Sequence, residues 1–536
     1  MYETRSLIGP ATGHTRVSWL PAAILGFAMM AAVQTGTPHI TGNDGYYHVK
    51  MAALLPELGF TKSFPWLRWT ILNEQFVSHH YGFHVLLLPF VYAAEASGHQ
   101  PAFGGKIAAC VALGVTFAIF HVLVRGRGAP FPLLWVLFLA VLPWHFWLRM
   151  TYVRAPMAAL PLLLLAVHWI IRGRVWAMLI LAFVFTQVYG GAILFPLVPG
   201  SFFLAALITR EQPLRAAWQL AASIAGIILG MVISPYFPAN LSFFITQLFE
   251  TGLGAARDVG GEWKPYETWA LLLQAAPLAA IWVACLTLRL RTAVPASRAE
   301  LGIFFVNLAF FVLTLKSRRF VEYWPVFALL SAGEFAAVAW RARPREHSIR
   351  IKPAVGIVGV VAVVALGAWN LWMVWADQRP SHDVVAIREA MEFLRENSPP
   401  RSLVFTDDWD IFPICFYFNH HNTYAVGLDP EFTRTRYPAL WERYRRITRA
   451  ELPAKLPKDL RSESEDPAIK YEDIGTIFEA NYVLVADDHN KLYRALIDRP
   501  DAFELIYPEK TAHQPPIAIF RTLPNLGRHD GGDVGS

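Results

Sequence analysis

Long apolar stretches separated by short basic clusters set the pattern of this chain. Runs fall near 17–36, 105–124, 130–147, 155–171, 175–191, 192–209, 214–233, 267–288, 300–315, 321–340 and 354–375, each close to the roughly 20 residues a helix needs to cross a bilayer. These predict a polytopic α-helical membrane protein. The run at 81–96 is shorter, carries His80 and His84 at its start, and is followed by Glu95 and His99. Counted as a span, it inverts everything after it. Left in the interface, it puts Arg125/Arg127, Arg172/Arg174, Arg210/Arg215, Arg289/Arg291/Arg298 and Arg341/Arg343/Arg345/Arg350/Lys352 on the side of Arg5 and Arg16. The positive-inside rule therefore favours about eleven transmembrane helices, with the N-terminus cytoplasmic and the chain after Trp375 outside.

Beyond residue 376 the period changes. Val384 to Asn397 has helical spacing with Val385, Ile387, Met391 and Leu394 as apolar positions, and Ser402 to Thr406 reads as a buried strand. Ile474–Ala480 and Lys491–Asp498 read as helices, and Asn481–Ala486, Phe503–Tyr507 and Ile517–Arg521 as strands. Alternation of this kind predicts a layered α/β domain. The expected organisation is a transmembrane domain over 1–376 with a large outer loop at 37–104, an extracytoplasmic α/β domain over 377–526, and a disordered tail at 527–536. No internal repeat is visible.

Composition narrows the class. The 536 residues are 55% hydrophobic and 16% charged, with a mean hydropathy of +0.36, too apolar for an ordinary soluble enzyme. The net charge of +6 is dispersed between apolar runs, a topology signal that excludes nucleic acid as the expected partner. Cys110, Cys285 and Cys415 are scattered, so neither a disulfide framework nor a thiolate metal site is implied. The first apolar segment lacks a small-residue cleavage pattern and reads as a retained span.

On this topology the polar features collect on the outer face. Thr41-Gly42-Asn43-Asp44-Gly45-Tyr46-Tyr47-His48 places an acid between two glycines just past the first span; a turn acid bonded to its own backbone is the competing reading. The turn Arg149-Met150-Thr151-Tyr152-Val153-Arg154, the loop containing Glu262, and Arg318-Arg319-Phe320-Val321-Glu322-Tyr323 follow on the same side. Outer-face arginines break the charge rule, and guanidinium groups match phosphate oxygens in a bidentate way. Alternatively, Arg318 and Arg319 snorkel to headgroups and pair with Glu322. Thr406-Asp407-Asp408-Trp409-Asp410 directly follows a strand, where functional side chains are commonly displayed; a solvated acidic turn is the plainer alternative.

Together these segments resemble the C-type integral-membrane glycosyltransferases, and within them the catalytic subunit of oligosaccharyltransferase and its bacterial relatives. Asp44 stands where that family carries a catalytic carboxylate in the first outer loop, and Ser78-His79-His80-Tyr81-Gly82-Phe83-His84 looks like the end of that loop. Arg318 and Arg319 resemble the late outer segment whose arginine holds the lipid-linked pyrophosphate. Glu262 matches the glutamate of the family's flexible outer loop in position, and Trp409-Asp410 keeps the centre of the Trp-Trp-Asp-Tyr-Gly acceptor motif. The second outer loop departs from the family pattern, because 149–156 contains no acid.

The resemblance implies transfer of a sugar or oligosaccharide from a polyprenyl-phosphate or -pyrophosphate donor to an acceptor on the extracytoplasmic face, in a multi-pass protein expected in a bacterial cytoplasmic membrane. Catalytic roles are expected for Asp44 and Glu262, donor-phosphate binding for Arg318, Arg319, Arg149 and Arg154, and acceptor binding for Trp409 and Asp410. A divalent metal, manganese or magnesium, would take Asp44, His48, His80 and His84, or the arginines would do its electrostatic work. The expected partners are the lipid-linked sugar, membrane lipids and an acceptor whose type is not legible. A transporter or lipid-binding protein without transfer chemistry, or an inactive relative, is the alternative.

Overall fold

The computed structural model describes residues 18–246, 261–343, 353–378, 383–461, 468–509 and 514–524; the expected tail at 527–536 lies outside them. Every predicted apolar run is occupied by helix, from Leu20–Gln34 and Pro101–Gly126 to Trp324–Ala342 and Pro353–Asp377. Length and apolarity qualify six of the described helices as full crossings, or seven if a bent pair counts as one. Shorter apolar helices include Leu20–Gln34, Tyr81–Ala96, Pro156–Ile171 and Val175–Val188. Large apolar side chains such as Trp269, Leu273, Leu290, Val361 and Trp369 point outward, as lipid-facing positions do.

The bent pair corrects one expectation. The run at 130–147 is not one straight span: Pro132–Val141 and Trp144–Thr151 meet at 85°. Pro143 is the cause. It has no N–H to continue a helix and drives Leu142 to an extended ψ of 151°. The second arm, Trp144–Thr151, carries Arg149 in its last turn, so Arg149 is helical rather than part of a short loop.

The C-terminal region forms an α/β layer. Strands β1 (Leu403–Thr406), β2 (Thr423–Tyr424), β5 (Tyr482–Ala486), β6 (Phe503–Tyr507) and β7 (Ile517–Thr522) make one sheet in the order β2-β1-β5-β7-β6. β1 is parallel to β2 and β5, whereas β7 is antiparallel to β5 and β6. A separate pair, β3 (Ala454–Lys455) and β4 (Ala468–Ile469), is antiparallel. Side chains alternate between two cores. Val404, Tyr482, Leu484, Ile517 and Ile519 join the core that runs on into the helix bundle, while Leu403, Phe405, Val483, Val485 and Phe520 pack on Trp441, Tyr444 and Ile447. Helix Val384–Asn397 lies on the bundle-side core through Val384, Ile387, Met391 and Leu394. The expected Val385 is 41% exposed, one position out of register. The helix expected over Ile474–Ala480 is only the single turn Asp473–Thr476.

The outer loop is stitched to this sheet. Leu67 bridges Tyr424, Arg68 N–H donates to the Tyr424 carbonyl at 2.9 Å, and Tyr424 N–H to the Trp66 carbonyl at 2.8 Å. The open edge of β2 is thereby covered, and the loop carrying His79 and His80 is held beside the α/β layer.

Candidate active site

Asp44 opens the helix Asp44–Leu58, at the end of a loop fixed on both sides. Lys106 Nζ donates to the Thr37 carbonyl at 2.5 Å, and Ile40 N–H donates to the Tyr46 hydroxyl at 3.2 Å. Gly42 takes φ +76°, and a Cβ on Gly45 would come within 2.5 Å of Ile40, so the turn needs both glycines. Asp44 accepts from Arg154 Nη1 at 3.2 Å, and its side chain remains 41% exposed. Its partner is a distant arginine, not the turn backbone.

Arg154 belongs to a network of three guanidiniums and three carboxylates. Glu322, 1% exposed, accepts from Arg149 at 2.6 Å and Arg154 at 3.3 Å. Glu262 accepts from Arg149 at 3.1 Å and Arg154 at 2.9 Å, and forms an ion pair with Arg319 at 3.3 Å. Tyr152 lies under the Arg149 and Arg154 guanidiniums at 5.6 and 4.8 Å. Burial pushes the Glu262 carboxyl up, but Arg154, Arg319 and Arg149 outweigh it and hold it well below the usual carboxylate range. Arg149 and Arg154 are each paired with both Glu262 and Glu322, whereas Arg319 pairs with Glu262 alone among the described residues.

Two cavities meet at this network. The polar one, about 520 Å³, is lined by Asp44, His48, Arg154, Glu262, Trp409 and Asp410 among others. The apolar one, about 930 Å³, runs between Leu194, Leu197, Leu204, Leu308, Val312 and Leu313. They share Val77, His79, His80, Phe243, Trp263 and Arg319. Arg319 sits over the Trp263 ring at 4.5 Å. Arg318 lines neither cavity; its Nε donates to the Pro265 carbonyl at 3.1 Å, and its guanidinium faces Tyr266 at 5.4 Å. Neither residue takes Glu322, the partner expected on the snorkelling reading.

Trp409 and Asp410 reach the polar cavity from the α/β layer. Asp408 caps the turn Trp409–Ile411 through Asp410 N–H, and Asn43 Nδ2 donates to both the Asp410 carbonyl, at 2.9 Å, and its carboxylate, at 3.0 Å. Burial, reinforced by Asp44 and Asp408, pushes the Asp410 carboxyl up to about 7. Asp429, on the same wall, is pushed up to about 6, chiefly by burial.

The histidines do not form the expected metal set. His48 Nδ1 and His84 Nε2 share a hydrogen bond at 2.9 Å, and His84 Nδ1 lies 3.3 Å from Ser78 Oγ. His80 Nδ1 accepts from Gly190 N–H at 3.2 Å, while its ring stacks on Tyr189. Burial lowers His48 and His80 well below the usual imidazole range and His79 to about 4. Both His84 nitrogens are engaged within the protein, and His84 lines neither cavity. Among the described residues, the group whose ligand atoms converge within 4.8 Å is Asp407, Asp488 and His489 instead. The residues not singled out by sequence are Asn43, Glu322 as an arginine anchor, and Asp429.

No protein-family profile matches the sequence, and no curated protein matches it. The fold does match. Over 96% of this chain and 74% of its own, the archaeal oligosaccharyltransferase AglB from Archaeoglobus fulgidus, solved with an inhibitory peptide and a dolichol-phosphate, superposes with TM-score 0.57 at 13% identity. ArnT from Cupriavidus metallidurans, solved bound to undecaprenyl phosphate, superposes with TM-score 0.55 at 12% identity over 95% of this chain and 98% of its own. The chain therefore has the fold of the C-type membrane glycosyltransferases, including the C-terminal α/β layer.

Proposed function

We propose that this protein is a membrane glycosyltransferase that takes a sugar or oligosaccharide from a polyprenyl-phosphate-type donor and passes it to an acceptor at the outer face of a bacterial cytoplasmic membrane. The observation that carries this reading is the junction of the two cavities, where Arg319, Trp263, His79 and His80 line both. An isoprenoid tail suits the apolar cavity. Its phosphate then falls at Arg319, and its sugar in the polar cavity beside Asp44. Two structures of this fold were solved with dolichol-phosphate and undecaprenyl phosphate, which supports the donor class.

Breaking the sugar–phosphate bond leaves negative charge on the phosphate, which Arg319 offsets. Glu262 acts as a positioning residue, fixing the Arg319 guanidinium from one side while Trp263 supports its face. Asp44 faces the cavity as the candidate general base. Asp410, with a carboxyl near neutral pKa, is placed to hold or relay the acceptor proton. His84 is engaged at both ring nitrogens and His48 and His80 at Nδ1, and the charge on the leaving phosphate is assigned to Arg319 rather than to a metal at these histidines. The N-terminus is cytoplasmic on this reading, with 377–526 as an outer domain over the transmembrane domain 1–376.

The test is to reconstitute the purified protein with the lipid extract of its host and follow lipid-linked sugars by mass spectrometry. Depletion of one species with release of its free lipid phosphate is the expected result. An unchanged donor pool with lipid bound stoichiometrically would instead support a lipid-binding protein without transfer chemistry.

A further inference from the structure

A second constellation lies away from the arginine network, at the carboxyl ends of β1 and β5. These two strands are adjacent and parallel. The chain leaves β1 toward β2 on one side and returns to β5 on the other, which makes the gap between their ends the topological switch point of the sheet, where layered α/β folds place ligands. Asp407 follows β1 directly, and Asp487-Asp488-His489 follows β5.

Asp407 is 0% exposed at its side chain. Its Oδ2 accepts from Ala486 N–H at 2.6 Å and lies 3.1 Å from His489 Nδ1. Its Oδ1, buried with it, has no hydrogen-bond partner among the described residues. His489 Nδ1 is also 3.1 Å from Asp488 Oδ1, and the three ligand-type atoms all lie within 4.8 Å of one another. Two atoms that each bind one metal at about 2.1 Å stand about 3.0–3.4 Å apart in octahedral or tetrahedral geometry.

Charge points the same way. An imidazolium alone would balance only one of the two carboxylates, leaving a negative charge on a site whose inner acid is wholly buried; a dication balances both. Asp408 and Asp487 add further acid next to it, and among the described residues no arginine or lysine forms an ion pair with any of the four. The unpartnered Oδ1 supplies a further lone pair, and the half of the site formed by Asp488, 55% exposed, is open to water ligands.

We propose that Asp407, Asp488 and His489 form a divalent-cation site that clasps the ends of β1 and β5. One imidazole with two carboxylates suits a first-row transition dication better than calcium or magnesium. The site is separate from the cavity beside Asp44, and the proposal does not depend on the transfer reaction. It has a structural consequence there, because Asp408 to Asp410 continue directly from Asp407 and end at the Asn43 contact.

The experiment uses the full chain in detergent, stripped with chelator and titrated with Co²⁺ under equilibrium dialysis with visible absorption. Asp488→Asn and His489→Gln change the more exposed ligands and leave the Asp407–Ala486 bond in place; their thermal transitions check that they fold. The expected result is one Co²⁺ equivalent with a ligand-field band in the wild type, with affinity at least about tenfold weaker in each variant. Asp44→Asn should keep that equivalent. A wild type without the band, or a band of equal affinity in both variants, overturns the proposal in favour of a metal-free Asp–His–Asp ion cluster.

Discussion

Arg319 and Arg318 are neighbours with opposite surroundings, and replacing each in turn tests the phosphate assignment. Arg319 lines both cavities at their junction, whereas Arg318 lines neither and is held by the Pro265 carbonyl and the Tyr266 ring. Glu262 meets Arg319 at Nε, 3.3 Å away, and on the phosphate assignment the outer fork of the guanidinium meets the donor at the cavity junction. One charge-assisted hydrogen bond is worth about 1.5–3 kcal/mol, so Arg319→Ala should weaken binding of a polyprenyl-phosphate donor by about 10- to 100-fold. Arg319→Lys keeps the charge but loses the fork and should recover only part of this. Arg318→Ala should change donor affinity less than about threefold, since its contacts are to the protein. The assay is donor titration by tryptophan quenching, with Trp263 stacked on Arg319 as the reporter. Equal losses for the two alanine variants, or unchanged affinity for Arg319→Ala, would refute the assignment.

Glu322→Gln removes a carboxylate that Arg149 and Arg154 share and that is itself buried, at 1% exposure. Breaking such a pair costs up to about 3–5 kcal/mol, read as a lower thermal transition, and Arg149→Gln in the same chain should return part of it. Asp410 gives a pH prediction. Its folded pKa of about 7 stands above the usual carboxylate value, so the folded state holds an extra proton between about pH 4 and 7 and stability falls as pH rises across that window. Transfer should rise through the same upper limit as the carboxylate forms, and Asp410→Asn should flatten the profile. Topology is tested by single cysteines at Gly126 and Gly261, where an added Cβ meets nothing within 4 Å; they should label from opposite sides of the membrane.

Much of this architecture was legible because lipid and water enforce long, simple patterns. The eleven apolar runs mark helices correctly, since a buried or lipid-facing helix needs no amphipathic period to be visible. The bend at Pro143 was hidden inside one such run: the residue was visible, but whether neighbouring helices accommodate it as a kink or a break is a tertiary matter. β2, only Thr423–Tyr424, is too short to carry a period of two, and it is defined by its neighbours β1 and Leu67. At the site, Asp44, Arg154, Glu262 and Asp410 could be singled out as charges just beyond apolar runs or a strand. Their pairing could not. Glu322 was read beside Arg318 and Arg319, yet it bonds Arg149 and Arg154, some 170 residues away in sequence. The histidines failed as a metal set for a related reason: His80 and His84 share a helical spacing, but ring nitrogens are assigned by neighbours such as Ser78 and Gly190 that spacing does not reveal.

The central claim is that Asp44 performs chemistry on a bound lipid-linked sugar, and single-turnover transfer by Asp44→Asn measures it most directly. Asparagine keeps the shape and can still face Arg154, so the variant should fold and bind donor within about threefold of wild type. Loss of the carboxylate should lower the transfer rate at least about 100-fold, in line with removal of a general base. Near-normal transfer by Asp44→Asn, with donor binding intact, would contradict the account.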